Sequence, residues 1–200
     1  MLVGQDLGCV RGERLVFGGL DLSVGPGAAL VLTGPNGSGK SSLLRLLAGL
    51  LAPARGRIAW DGVPVADDPE AHRARLVFVG HHDPVKPGLT VAENLKFWMT
   101  MRDGIGDIGP ALAALGLDRL ADQPGRYLSA GQRRRLNLAR LAAVPARLWL
   151  LDEPTAGLDS AAQAMLAALM DRHLAGGGLI VASAHGPIGL GRAATLELVR

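Results

Sequence analysis

Residues 34–41 read GPNGSGKS. Gly34, Gly39, Lys40 and Ser41 stand at the fixed positions of G-x-x-x-x-G-K-[ST], with Pro35, Asn36, Gly37 and Ser38 between them and Ser42 next in line. Such a loop lets backbone N–H groups curl around a phosphate, and the helix that follows adds partial positive charge from its N-terminus. An ammonium at Lys40 reaches β- and γ-phosphates, and a hydroxyl at Ser41 binds Mg²⁺. This pattern alone leaves phosphotransfer to an acceptor, GTP hydrolysis and ATP hydrolysis open.

A second group of reactive side chains lies far downstream. Residues 147–153 read RLWLLDE, an apolar run that ends in two carboxylates. A central strand of a parallel sheet has this look, and ligands bind at the C-terminal ends of such strands. By themselves Asp152 and Glu153 could equally cap the next helix. With the phosphate loop upstream, Asp152 is expected to hold Mg²⁺, through water, and Glu153 to polarise an attacking water as general base. The third group is LSAGQ, residues 128–132, where Ser129 is a good N-cap and Gly131 leaves room for a phosphate at the first turn. In isolation that pentapeptide reads as an ordinary capped helix. Its position gives it weight: Gly131 lies 21 residues before Asp152 and 91 after Lys40.

These residues need a scaffold, and the pattern of apolar runs supplies one. Short runs bounded by glycine or proline are expected as strands at 2–10, 20–24, 28–33, 57–60, 76–79, 148–151, 179–183 and 194–199. Their alternation with helical patterns points to an α/β domain with a mainly parallel sheet. The first, second and fourth strands sit early and are expected to form an antiparallel β layer beside the parallel core. Leucines at 43, 44, 46, 47, 50 and 51 mark a helix over 39–51. Helices are also expected at 90–101, 108–115 and 129–143, which makes 84–144 a helical insertion between two parts of a core, 1–83 and 145–200.

Composition narrows the class further. The chain has 200 residues and a net charge of 21 − 18 = +3, enough for one domain and too little charge to demand nucleic acid. The only dense basic run is Arg133–Arg135. It is 48% hydrophobic but only 4% aromatic, so its core must be aliphatic. One cysteine, Cys9, excludes an internal disulfide and favours a reducing compartment. Two uncharged stretches of 18 residues, 22–39 and 174–191, are broken by glycine and proline and do not read as transmembrane helices. The N-terminus has no basic start before an apolar run and does not read as a secretory signal.

Taken in order, these motifs resemble the ATP-binding subunits of ABC transporters. GPNGSGKS is similar to their Walker A loop, LSAGQ to their signature motif and LWLLDE to their Walker B strand. Gly157–Asp159 resembles the D-loop, and His185, 32 residues after Glu153, the switch histidine. The resemblance implies the ABC ATPase fold, a P-loop NTPase core with an antiparallel layer and a helical subdomain, in one domain over 1–200. It implies ATP and Mg²⁺ as ligands and a head-to-tail homodimer. Each ATP would sit between the phosphate loop of one subunit and Ser129, Gly131 and Gln132 of the other, with Asp159 nearby. His185 would contact the γ-phosphate and orient Glu153 or the water. With no span of its own, the chain would work with integral membrane subunits, as a peripheral protein on the cytoplasmic face of the inner membrane. A kinase would need an acceptor-binding lid and a GTPase a motif such as NKxD, which does not occur.

Two positions depart from the family pattern. Where the family carries a Q-loop glutamine, this chain has VFVGHHDP, and alignment on the following LTVAENL puts His82 there. An imidazole at that place could accept a bond from Mg²⁺-bound water, or the His81–His82 pair could be a solvated strand end; strand alternation argues against a site that uses both rings. The family also stacks adenine on an aromatic near the N-terminus, but the corresponding stretch, CVRGERLVF, has no tyrosine or tryptophan, which leaves Arg11 or Phe17 for that place. The stretch GHHDPVKPGLTVAENLKFW followed by LSAGQRRRLNLARL is most similar to the ATPases of the cytochrome c biogenesis export system, linked in that family to haem. On the expected helix at 90–101, Phe97, Trp98, Met99 and Met101 form an apolar group, mostly core, with one or two facing a membrane partner.

Overall fold

The computed structural model describes residues 1–102 and 107–199, so positions 103–106 of the expected insertion lie outside the described residues. The chain begins with two antiparallel strands, β1 (Leu2–Arg11) and β2 (Arg14–Val24), followed by β3 (Ala29–Thr33) and helix α1 (Lys40–Leu47). Then come β4 (Arg55–Trp60), β5 (Val63–Pro64), α2 (Pro69–Ala74) and β6 (Leu76–Val79). Helices α3 (Val91–Thr100), α4 (Gly109–Ala113) and α5 (Ala130–Ala143) separate β6 from β7 (Leu148–Asp152). Helix α6 (Ser160–Ala175), β8 (Leu179–Ser183) and β9 (Ala194–Glu197) complete the order.

Two sheets result. One is antiparallel, in the order β2-β1-β4-β5, and the other is parallel, in the order β6-β7-β8-β3-β9. The α/β class, the parallel core and the antiparallel layer are as the sequence leads one to expect. The uninterrupted apolar runs of β7 and β8 follow from burial on both faces. Successive side chains alternate, so Leu148 and Leu150 join a cluster with α1 and the antiparallel sheet, while Trp149 and Leu151 join another with α3, α5 and α6. The parallel sheet is thus a wall between two aliphatic cores, and its C-terminal edge stays free for chemistry.

Local differences have local causes. β2 starts at Arg14, well before the expected Leu20, because Leu15 and Phe17 pair with Val10 and Cys9 across the β1 ladder despite the Gly18–Gly19 pair that reads as a break. Helix α6 is alanine-rich, and its apolar residues do not concentrate on one stripe, so periodicity misses it. Its start is set instead by Asp159, whose carboxylate accepts the Ala162 N–H at 2.8 Å. His81 and His82 follow the end of β6 in a loop, so strand alternation does not apply to them, and their rings meet edge to face at 5.7 Å. On α3, Met99 is buried, Trp98 lies under the Arg140 guanidinium at 3.6 Å, and Phe97 and Met101 reach the surface.

One buried and one half-buried histidine, His72 and His173, make the fold sensitive to acid. His72 Nε2 bonds the Leu47 carbonyl at 2.8 Å and its Nδ1 is buried without a partner, so a second proton has no acceptor there. His173 stacks on Trp149 at 3.7 Å. Burial pushes both imidazoles below their usual pKa. In the unfolded chain they titrate near about 6.5. The stability that goes with their neutral forms is therefore complete above that pH and is lost as pH falls toward the lower folded values. Thermal unfolding followed from pH 8 to 5 is expected to show Tm falling below about pH 6.5, with a shallower slope in His72→Gln, which keeps a donor for Leu47.

Candidate nucleotide site

The loop between β3 and α1 turns through three glycines in the left-handed region, Gly34, Gly37 and Gly39, at φ 126°, 77° and 104°. At Gly39 the demand is double. A Cβ there would lie 2.7 Å from Val16 Cγ1 and 2.8 Å from Phe17 Cδ1, so the loop can rest on β2 only without a side chain. This contact also buries Phe17, which removes its ring as a surface for a base, whereas Arg11 stays exposed at the end of β1. Pro35, Asn36 and Gly37 form the exposed tip of the loop.

Lys40 is nearly buried, and its ammonium donates to the carbonyls of Gly34 at 2.8 Å and Pro35 at 3.1 Å. The charge is thus held over its own loop. The Ser38 hydroxyl is fully buried and has no hydrogen-bond partner, an unspent donor inside the same loop. Ser41 and Ser42 open α1, and Ser41 Oγ donates to Asp152 Oδ1 at 3.0 Å. The phosphate loop and the acidic strand end, 111 residues apart in sequence, therefore meet.

The strand end is braced by its parallel neighbour. Asp152 pairs in register with Ser183, whose hydroxyl donates to Asp152 Oδ1 at 2.7 Å and accepts the Glu153 N–H at 2.9 Å. Glu153 is one of three non-glycine residues with positive φ among those described, at 48°. For a side chain of this size that backbone is strained, and such strain persists only where neighbours impose it. Its carboxylate reaches His185, with Nε2 and Oε1 3.1 Å apart and both side chains partly exposed. Lys40, Ser41, Asp152, Glu153 and His185 thus converge at the C-terminal edge of the parallel sheet.

The remaining expected residues sit apart. Ser129 Oγ accepts the Gln132 N–H at 3.2 Å and Gln132 Oε1 accepts the Ser129 N–H at 2.7 Å, a capping box at the start of α5. The N–H groups of Ala130 and Gly131 have no partner within the helix. A Cβ on Gly131 would stand 3.4 Å from the Gly157 carbonyl, which places the cap beside the Gly157–Asp159 loop. His82 is exposed and lines one cleft with Ser41, Arg45, His81 and Asp152. No group of three His, Cys, Asp or Glu side chains that could hold a metal ion occurs among the described residues. The donors that do meet, the Ser41 hydroxyl and the Asp152 carboxylate, are hard oxygens. They fit Mg²⁺, which takes one or two protein oxygens and fills the rest with water and phosphate.

Sequence reasoning missed Ser183 and Arg134. The signal for Ser183 was a lone hydroxyl at the end of an apolar strand. Arg134 was hidden in a run of three arginines. Yet it shares the buried face of α5 with Asn137, Leu138 and Leu141, an i, i+3, i+4, i+7 stripe where a charge is out of place.

The ABC transporter family profile matches residues 17–156. The chain is 55% identical to the "Cytochrome c biogenesis ATP-binding export protein CcmA" of Paramagnetospirillum magneticum, over 97% of this chain and 92% of that one. It is 56% identical to the protein of the same name from Rhodospirillum rubrum, over 99% and 85%. Among solved structures, a putative ABC transporter ATP-binding protein from Pyrococcus furiosus superposes with a TM-score of 0.86 at 24% identity, covering 98% of this chain and 96% of that one. An ATP-binding cassette in a dimeric post-hydrolysis state, bound to ADP and Pi, superposes with a TM-score of 0.80 at 25% identity, over 93% and 88%. The phosphate loop, the acidic strand end and the capped LSAGQ helix all lie within the matched residues, and the chain belongs to the ABC transporter family as an ATPase subunit.

Proposed function

We propose that this chain is the ATP-hydrolysing motor of an export system that serves cytochrome c biogenesis and is linked to haem. The observation that carries the reading is the convergence of Lys40, Ser41, Asp152, Glu153 and His185 on one sheet edge, in a chain that is 55% identical to an ATP-binding export protein along nearly its whole length. No described helix is long and apolar enough to cross a membrane, so lipid-embedded steps fall to integral membrane partners. The chain would sit peripherally on the cytoplasmic face of the inner membrane.

The residues divide the work. Backbone N–H groups from Gly34 to Ser42, except at Pro35, which shapes the loop but has none, join the Ser38 hydroxyl and the Lys40 ammonium in holding the β- and γ-phosphates of ATP. Ser41 and Asp152, with His82 across the cleft, would hold Mg²⁺, which supplies charge neutralisation at those phosphates. Glu153 accepts the proton of the attacking water, and His185 fixes the Glu153 carboxylate from the side facing the γ-phosphate. In a head-to-tail homodimer, Ser129, Gly131 and Gln132 of one subunit close over the γ-phosphate bound to the other, with Asp159 at the joint. Two helix N-termini then face one anion, and cleavage removes the charge that joins them.

The test is phosphate release. The purified chain with its genomically encoded membrane subunits is expected to copurify with them and to release phosphate from MgATP without any acceptor. Phosphate appearing only when an acceptor is added would replace this reading with a kinase. Turnover without association with any membrane subunit would leave an ATPase outside transport.

A further inference from the structure

One guanidinium grips the strand end that carries Asp152 and Glu153. Arg134, on α5, is only 4% exposed. Its Nη1 donates to the Gly80 carbonyl at 2.9 Å and to Asp83 Oδ1 at 3.2 Å. Its Nη2 donates to the carbonyls of Asp152 at 3.1 Å and Glu153 at 2.8 Å. Only the Nε–H is left without a partner. A buried charge is costly, and an apolar side chain would fill the same place at less cost, so packing alone does not account for an arginine here.

The four bonds fall on two segments with different tasks. Two hold the Gly80–Asp83 stretch that presents His82 to the cleft. Asn137, one turn further along α5, strengthens that hold through the same Asp83 carboxylate at 2.9 Å and the His82 carbonyl at 3.3 Å. The other two hold the peptide groups on either side of Glu153's Cα. Glu153 has left-handed φ, and its N–H is fixed by Ser183 on one side. With its C=O fixed by Arg134 on the other, the direction of its Cα–Cβ bond is set, and from there its carboxylate reaches His185.

We propose that Arg134 is a positioning residue for hydrolysis, which holds Glu153 in its strained backbone conformation and ties it to the Gly80–Asp83 segment. The proposal rests on the reading of Glu153 as general base. Arg134 itself hydrogen-bonds to backbone carbonyls and Asp83, and acts on the reaction through Glu153.

The test is a mutant cycle in the purified full chain, with turnover normalised to the fraction of molecules that bind ATP. Arg134→Met keeps length and loses every donor. Its kcat is expected to fall about 10- to 100-fold, the cost of a misplaced catalytic group, with KM for ATP little changed. Arg134→Lys, which keeps a cation and three donors, is expected to recover part of that loss. Combined with Glu153→Gln, Arg134→Met is expected to slow the reaction no further, because the group it positions is already gone. Losses that multiply, or an Arg134→Met protein that turns over at the parental rate, overturn the proposal. Should Arg134→Met fail to fold, the same cycle run with Arg134→Lys and with Asp83→Asn decides by the same criterion. If Glu153→Gln by itself hydrolyses like the parent, the fault lies with the general-base reading and not with Arg134.

Discussion

Glu153→Gln is expected to bind ATP as the parent does and to hydrolyse it about 10²- to 10⁴-fold more slowly, the usual worth of a positioned general base. The substitution keeps size, shape and one oxygen, so the hydrogen bond to His185 and the bonds of its own backbone to Ser183 and Arg134 can all persist. What disappears is the capacity to take a proton. Binding and chemistry should therefore separate. Nucleotide affinity stays, and the ATP-joined dimer accumulates, because the bridging charge is no longer removed. Single-turnover hydrolysis and size-exclusion chromatography with ATP measure the two halves. Parental turnover in this variant would refute the assignment.

Lys40→Ala is expected to fail one step earlier. The ammonium rests on two carbonyls of its own loop, so the loop is arranged around a cation. Alanine removes the charge that offsets the β- and γ-phosphates and leaves those carbonyls facing an anion. The loss in kcat/KM is expected to be about 10²- to 10³-fold, comparable to removal of a preorganised transition-state donor. Most of it should appear as lost ATP affinity, measured by equilibrium binding. The contrast between the variants is diagnostic: Glu153→Gln saturates with ATP and stalls, whereas Lys40→Ala does not saturate.

Much of this architecture is legible from short segments. ALVLT before GPNGSGK, and LWLL before DE, each carry their own physics: a strand buried on both faces, then polar groups at its C-terminal edge. What a linear reading cannot supply is pairing between distant segments. Nothing near Ser183 announces that parallel register will set it beside Asp152. Arg134 looks solvated because its neighbours in sequence, Arg133 and Arg135, are less buried; only the helical stripe shared with Asn137, Leu138 and Leu141 shows that it points inward. Phe17 fails as a platform for adenine for the same kind of reason, since the glycine that admits it, Gly39, is 22 residues away. His81 and His82 mislead in the opposite sense, by following an apolar strand whose alternation stops two residues before them.

The bent backbone at Glu153 also bears on how this chain can change over generations. An unfavourable torsion at one position is kept in place by a hydroxyl from a parallel strand and a guanidinium from a helix, so the burden of that geometry is spread over three loci that never touch in the gene. A lineage that put glycine at 153 would lose the acid and the strain at one stroke and so relax the demand on Ser183 and Arg134, whereas a lineage that retains the acid keeps the need for both.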